Sequence, residues 1–190
     1  MKPSFPPLAR LLLSALLVFT FLPAVAGEPV TSSTLAPQAR MSPTDEAAIR
    51  EVVERFRTTL IARDKAGFLA LFLPGANLAW ESAIGDDSLR RLREKRPQTR
   101  KVKPDPQHTP TAFIDGIVAD AESSEEKFRN LRIDGDGDVA SVVFDYAFHA
   151  GGRETNHGVE AWHLVRTEAG WRIVSVIWSM NLPPRPAAAG

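Results

Sequence analysis

The chain has 190 residues, with 23 basic and 23 acidic side chains, a formal net charge of zero and no cysteine. That balance argues against nucleic acid as the main partner, because phosphate binding needs a sustained basic surface. Without thiols there can be no disulfide and no lipidated cysteine, so the fold must rest on its hydrophobic core.

The chain opens with Lys2 and Arg10, an apolar run from Leu11 to Leu22, then Pro23 and Ala24-Val25-Ala26. This pattern reads as a cleavable secretory leader, with the cut expected after Ala26. The run is 12 residues long, short of the roughly 20 that span a bilayer. The expected product is therefore a periplasmic or secreted protein with no stable membrane anchor. It would keep 164 residues, 21 of them basic and 23 acidic, a size suited to one domain around one core.

Glu28 to Met41 is rich in Pro, Ser, Thr and Ala and lacks apolar periodicity, so residues 27–41 read as a flexible linker and the domain is expected over 42–182. Ser42 or Thr44 caps a first helix, with Pro43 early in it and Asp45 and Glu46 at its positive end. Ile49, Val52, Val53, Phe56 and Leu60 then recur every three or four residues as one buried stripe. Asp64 opens a short second helix through Phe68, Leu69, Leu71 and Phe72, closed by Pro74-Gly75. A strand is expected at 77–84, a third helix from Asp86 or Asp87 to Pro97, a Pro-rich loop to Pro110 and a short helix around 112–118. From Glu125 the apolar period becomes two, with strands at 125–133, 138–150, 153–167 and 171–182. Their turns are Asp134-Gly135-Asp136-Gly137, Gly151-Gly152 and Glu168-Ala169-Gly170. Residues 183–190 read as a disordered tail. Helices followed by an antiparallel meander make an α+β fold with the helices on one sheet face.

Two stretches carry a resemblance. One runs from Glu51 to Trp80, where Ala62-Arg63-Asp64 leads to Phe68-Leu69-Ala70-Leu71-Phe72; the other is Gly158-Val159-Glu160-Ala161-Trp162-His163-Leu164-Val165-Arg166-Thr167 with Gly170-Trp171-Arg172-Ile173-Val174-Ser175. Together they resemble the nuclear transport factor 2-like (NTF2-like) superfamily, specifically its SnoaL-like members and the subgroup named for lumazine binding. The resemblance implies a cone of three to four N-terminal helices on a curved, mostly antiparallel mixed sheet around a small-molecule pocket. Ketosteroid isomerases of the superfamily place a tyrosine and two acids where this chain has Phe56, Trp80 and Trp162, which argues against that isomerase chemistry.

Counting outward from Gly151-Gly152 pairs Tyr146 with His157, and counting back from the last turn pairs Trp162 with Val176 and Glu160 with Trp178. The two registers set their apolar residues on opposite faces unless one extra residue intervenes, and Gly158 is the expected bulge. Trp80, Phe144, Tyr146, Trp162 and Trp178 are then expected to line the pocket, with His157 and Glu160 as candidate acid and base. The bland reading of that pair is two side chains satisfying each other across a hairpin. Val139, Ser141, Val143, Ala147, His163 and Ile173 fall on the opposite face, where a homodimer through the sheet is expected. Asp134, Asp136 and Asp138 alternate with glycine as in a calcium loop, but Val139 and Asp145 break that pattern, and the basic residues from Arg90 to Lys103 read as a solvated face. No metal or other cofactor is expected. The leading function is binding of a small hydrophobic or heteroaromatic molecule. The alternatives are a cofactor-independent lyase, hydratase or isomerase, and a non-catalytic dimeric interaction protein.

Overall fold

A computed structural model describes residues 40–185. The expected leader, residues 27–39 of the expected linker and the last five residues lie outside it. Ser42 caps helix α1 (Pro43–Ala62), its Oγ accepting from the Asp45 N–H at 3.1 Å. The buried stripe is the expected one, extended by Thr59, and Arg63 ends the helix in a left-handed conformation. Asp64 then caps the short α2 (Lys65–Leu69), accepting from the Gly67 N–H at 2.9 Å.

Strand β1 (Ala79–Ile84) is followed by α3 (Asp86–Arg93) and by α4 (Pro110–Ala119), which Thr109 caps through the Ala112 N–H. Strands β2 (Ser124–Gly135), β3 (Val139–Ala150), β4 (Arg153–Thr167) and β5 (Gly170–Met180) form the meander. The sheet order is β1-β5-β4-β3-β2, with β1 parallel to β5 and the other pairs antiparallel. Two segments expected to be disordered are docked at their inner ends: the Met41 N–H donates to the Gly135 carbonyl, and the Pro183 carbonyl accepts from Arg91.

The core forms where α1 lies on the inner sheet face. The Phe56 ring sits 4.9 Å from Phe68 and 4.8 Å from Trp162, centroid to centroid. Trp171, just after the last turn, also belongs to this core. Gly151 and Gly152 both have positive φ, 57° and 75°, as the mirror-image two-residue hairpin turn requires.

The registers correct the expected pairing. One extra residue does reconcile the two hairpins, but it is Thr155, since His149 pairs with Glu154 while Phe148 pairs with Asn156. Gly158 serves another purpose: a Cβ built there would lie 1.9 Å from the Ser179 carbonyl oxygen, so glycine lets β5 approach β4 closely. A second bulge, at Val174, separates the pairs His163–Ser175 and Leu164–Ile173. It turns Ile173 inward, where it is fully buried, so Ile173 is core and not part of the outer face.

Candidate functional site

The bulge at Thr155 decides which polar side chains meet. Tyr146 pairs with Gly158, whereas His157 pairs with Ala147 on the outer face and holds Glu154 through Nδ1 at 2.8 Å. The His157 side chain is 40% exposed, and it does not line the cavity that holds Glu160. The expected His157–Glu160 pair is therefore corrected: moving the bulge from Gly158 to Thr155 reverses the face of the residues between the two positions.

Glu160 stays on the inner face and finds a different partner, Glu126 of β2, which the sequence reading missed. Both carboxyls are buried. Glu160 Oε2 accepts from the Trp162 indole N–H at 2.7 Å, and the Glu126 carboxyl lies near enough to Glu160 to interact with it. Burial and the Glu160 charge hold the Glu126 carboxyl well above the usual range, so it keeps its proton. Burial pushes Glu160 up to about 7, while the Trp162 N–H and Glu126 oppose the rise. Two acids this close share one proton near neutrality, because two adjacent buried charges are too costly.

The pair faces a cavity of about 190 Å³ whose walls include Phe56, Trp80, Phe113, Tyr146, Phe148 and Trp178. The Tyr146 hydroxyl lies 2.8 Å from Asn156 Oδ1 and 3.1 Å from the Ser179 carbonyl. Burial and the nearby carboxyls raise its pKa, so it remains a neutral phenol. Of the five expected pocket residues, Trp80, Tyr146 and Trp178 line the cavity. Phe144 and Trp162 are instead fully buried in the core, with Phe144 5.0 Å from Trp162 and 4.6 Å from Phe128.

Glu126 had one sequence signal: it shares strand parity with Phe128, so an inward-facing Phe128 implies an inward-facing Glu126. Farther along β2 that parity is broken by a bulge between Arg129 and Arg132.

A larger trough of about 850 Å³ runs between the loop after α2 and the loop before α4, with Trp80 and His108 among its walls. It lacks a comparable cluster of buried polar groups. The Asp-Gly turn is an Asx turn, Asp136 Oδ1 accepting from the Asp138 and Val139 N–H groups. Among the described residues no three His, Asp or Glu side chains converge as metal ligands. The basic residues around α3 are tied locally, Arg90 to Asp87, Arg93 to the Thr99 carbonyl and Lys101 to Asp86.

The family model of the SnoaL-like domain matches residues 49–183. This chain belongs to the SnoaL-like domain family. Solved structures with NTF2-like and cystatin-like folds are similar to this SnoaL-like chain. An NTF2-like protein of unknown function from Pseudomonas putida superposes with a TM-score of 0.55 at 13% identity, over 77% of this chain and 99% of that one. An NTF2-like superfamily protein from Salmonella enterica gives 0.53 at 18% identity, over 77% and 97%. A protein of unknown function with a cystatin-like fold from Nostoc punctiforme gives 0.52 at 14%, over 76% and 98%. No curated protein is significantly similar to the chain. At these identities the likeness concerns the fold alone.

Proposed function

We propose that this SnoaL-like domain is an exported protein that binds a small ring-containing molecule in the aromatic cavity. The observation that supports this is a pair of buried carboxyls facing an otherwise apolar, aromatic space, since ligand pockets combine apolar walls with a few convergent polar groups. The volume bounds the ligand. An apolar cavity of about 150 Å³ holds benzene, so about 190 Å³ suits one ring with a short substituent.

Native mass spectrometry of protein recovered from the exported fraction of its own source tests both parts. The expected mass is that of a chain beginning at Gly27 plus one bound small molecule. A chain that still began at Met1 would refute export, and a chain of bare polypeptide mass would count against a tightly held ligand.

A second reading, cofactor-independent acid-base catalysis, is favoured by one observation: two buried carboxyls, Glu126 and Glu160, line the same cavity, where burial pushes Glu160 up to about 7 and holds Glu126 protonated, as suits a proton-transferring pair. The two readings differ in what becomes of the ligand. In the binding reading the co-purifying molecule is recovered unchanged after prolonged incubation. Conversion that falls about 100-fold in Glu160→Gln would establish the enzyme.

Homodimerisation through the sheet is part of the same proposal. Val159 and Ile177 on the outer face are 42% and 45% exposed, and with Ala161 and Val102 they line a shallow apolar depression. Sedimentation is expected to show a dimer at micromolar concentration and a monomer for Ile177→Asp, which would bury two charges at the interface. A wild-type chain that sedimented as a monomer at that concentration would rule the dimer out.

A further inference from the structure

We propose that the cavity selects a small organic monocation, a protonated or quaternary amine carried on one ring or a short chain, held between the Glu126–Glu160 pair and the surrounding aromatic faces. The inference rests on the reading of this cavity as a small-molecule site and adds the charge of its ligand.

The first ground is an uncompensated charge. Once Glu160 ionises while Glu126 keeps its proton, the pair carries one negative charge inside the protein. Among the described residues lining the cavity there is no Lys, Arg or His; the titratable groups facing the pair are the two acids themselves and the Tyr146 phenol. Glu160 is held by a hydrogen-bond donor, the Trp162 indole, with Glu126 beside it, and not by a cation. A desolvated charge without a counterion is costly, and a cationic ligand would neutralise it.

The second ground is the walls, which supply what a cation needs and an anion does not. Trp80 meets Trp178 at 5.4 Å and 66°, and Phe113 at 5.3 Å and 47°. Phe113 in turn meets Phe148 at 6.2 Å and 61°. Rings meeting at such angles form the sides of a box and not a stack. The negative faces of aromatic rings attract cations, and aromatic boxes are the usual receptors for alkylammonium groups. An anionic ligand would instead meet the acidic pair, and the two donors beside that pair are already engaged, the Trp162 N–H at Glu160 and the Tyr146 hydroxyl between Asn156 and Ser179.

One consequence is a pH dependence of binding. Because Glu160 sits at about 7, the pair is only partly ionised at neutral pH. Capture of a cation should therefore release a fraction of a proton, and affinity should rise between pH 6 and 8.

The test is calorimetric titration of the full chain at pH 8 with three probes of one shape: benzylamine, benzyl alcohol and benzoate. Benzylamine is expected to bind at least about tenfold more tightly than benzyl alcohol, a difference within the range of a desolvated cation–π contact with a neighbouring carboxylate; benzoate is expected not to bind. In Glu160→Gln the preference for amine over alcohol should fall toward unity. The wild-type comparison decides the matter even if that variant does not fold. Benzyl alcohol binding as tightly as benzylamine would overturn the cation inference and leave the pocket reading standing. If none of the three probes binds, both fall.

Discussion

Raising the pH from 5 to 8 is expected to lower the stability of this protein by an amount on the order of 3 kcal/mol. A carboxyl whose pKa is higher in the folded chain than in the unfolded one holds its proton more tightly in the fold. Above the unfolded value, where the unfolded chain has released that proton, the fold loses stability as pH rises toward the folded value. For Glu160 the window runs from 4.5, its ordinary value, to about 7, and each unit of that gap corresponds to about 1.4 kcal/mol. Glu126 is raised in the same direction and prolongs the decline above pH 7. Asp45, Glu54, Asp86 and Asp136 are shifted downward by hydrogen bonds and neighbouring cations. Their contributions are lost only under more acidic conditions, outside this window.

Urea titrations at pH 5 and pH 8 would measure the effect. A midpoint at pH 8 equal to or above that at pH 5 would mean that the acids are not buried together. Glu126→Gln offers a second check: the glutamine amide can still donate to Glu160 but has no proton to lose, so the decline with pH should become shallower.

Trp162→Ala is expected to destabilise the fold by about 3 to 5 kcal/mol, the usual cost of removing a large aromatic from a core that cannot collapse into the space. Trp162 is wholly inaccessible to solvent and packs against Phe56 on α1 and Phe144 on β3. Its removal opens the junction between helix and sheet, and it also takes from Glu160 a hydrogen-bond donor, so the loss should lie toward the upper end of that range. Trp162→Phe keeps a ring but not the N–H, so its loss relative to the wild-type chain approximates the donor's share, and the further loss in Trp162→Ala is that of the ring. His157→Ala provides the contrast: partly in solvent and hydrogen-bonded to Glu154, it should cost about 1 kcal/mol or less, as the loss of a solvated hydrogen bond does. Equilibrium denaturation of the three variants would measure these costs. A loss below 1 kcal/mol for Trp162→Ala would contradict its place in the core.

Much of the architecture was legible in local patterns, because each element here is specified by residues close together in the chain. The Ser42 and Asp64 caps, the stripe from Ile49 to Leu60 and the paired glycines at 151 and 152 each act within a few residues of themselves. The switch of apolar period near Glu125 separated helices from meander in the same way. The resemblance carried by Glu51–Trp80 and Gly158–Ser175 led to the same fold, and the alternation along β4 and β5 correctly paired Glu160 with Trp178.

The candidate site was legible only in part. A strand's alternation says which residues share a face, but a bulge resets it, and a bulge depends on how two strands fit against each other. Gly158 was the reasonable place on backbone freedom alone, yet the extra residue is Thr155, and that single displacement sends His157 outside. Ile173 was misplaced for the same reason, by a bulge at Val174. The partnership of Glu126 and Glu160 lies further still from local pattern, since the two residues sit on strands separated by β3. What the sequence by itself determined was therefore the set of elements, their order and the presence of Glu160 among inward aromatics, because caps, periodicity and turns act over a few residues. Only the tertiary structure decided that Glu160 shares its proton with Glu126, that Phe144 and Trp162 are packing and that His157 is outside, because each of these depends on strand registers and on burial that no local stretch contains.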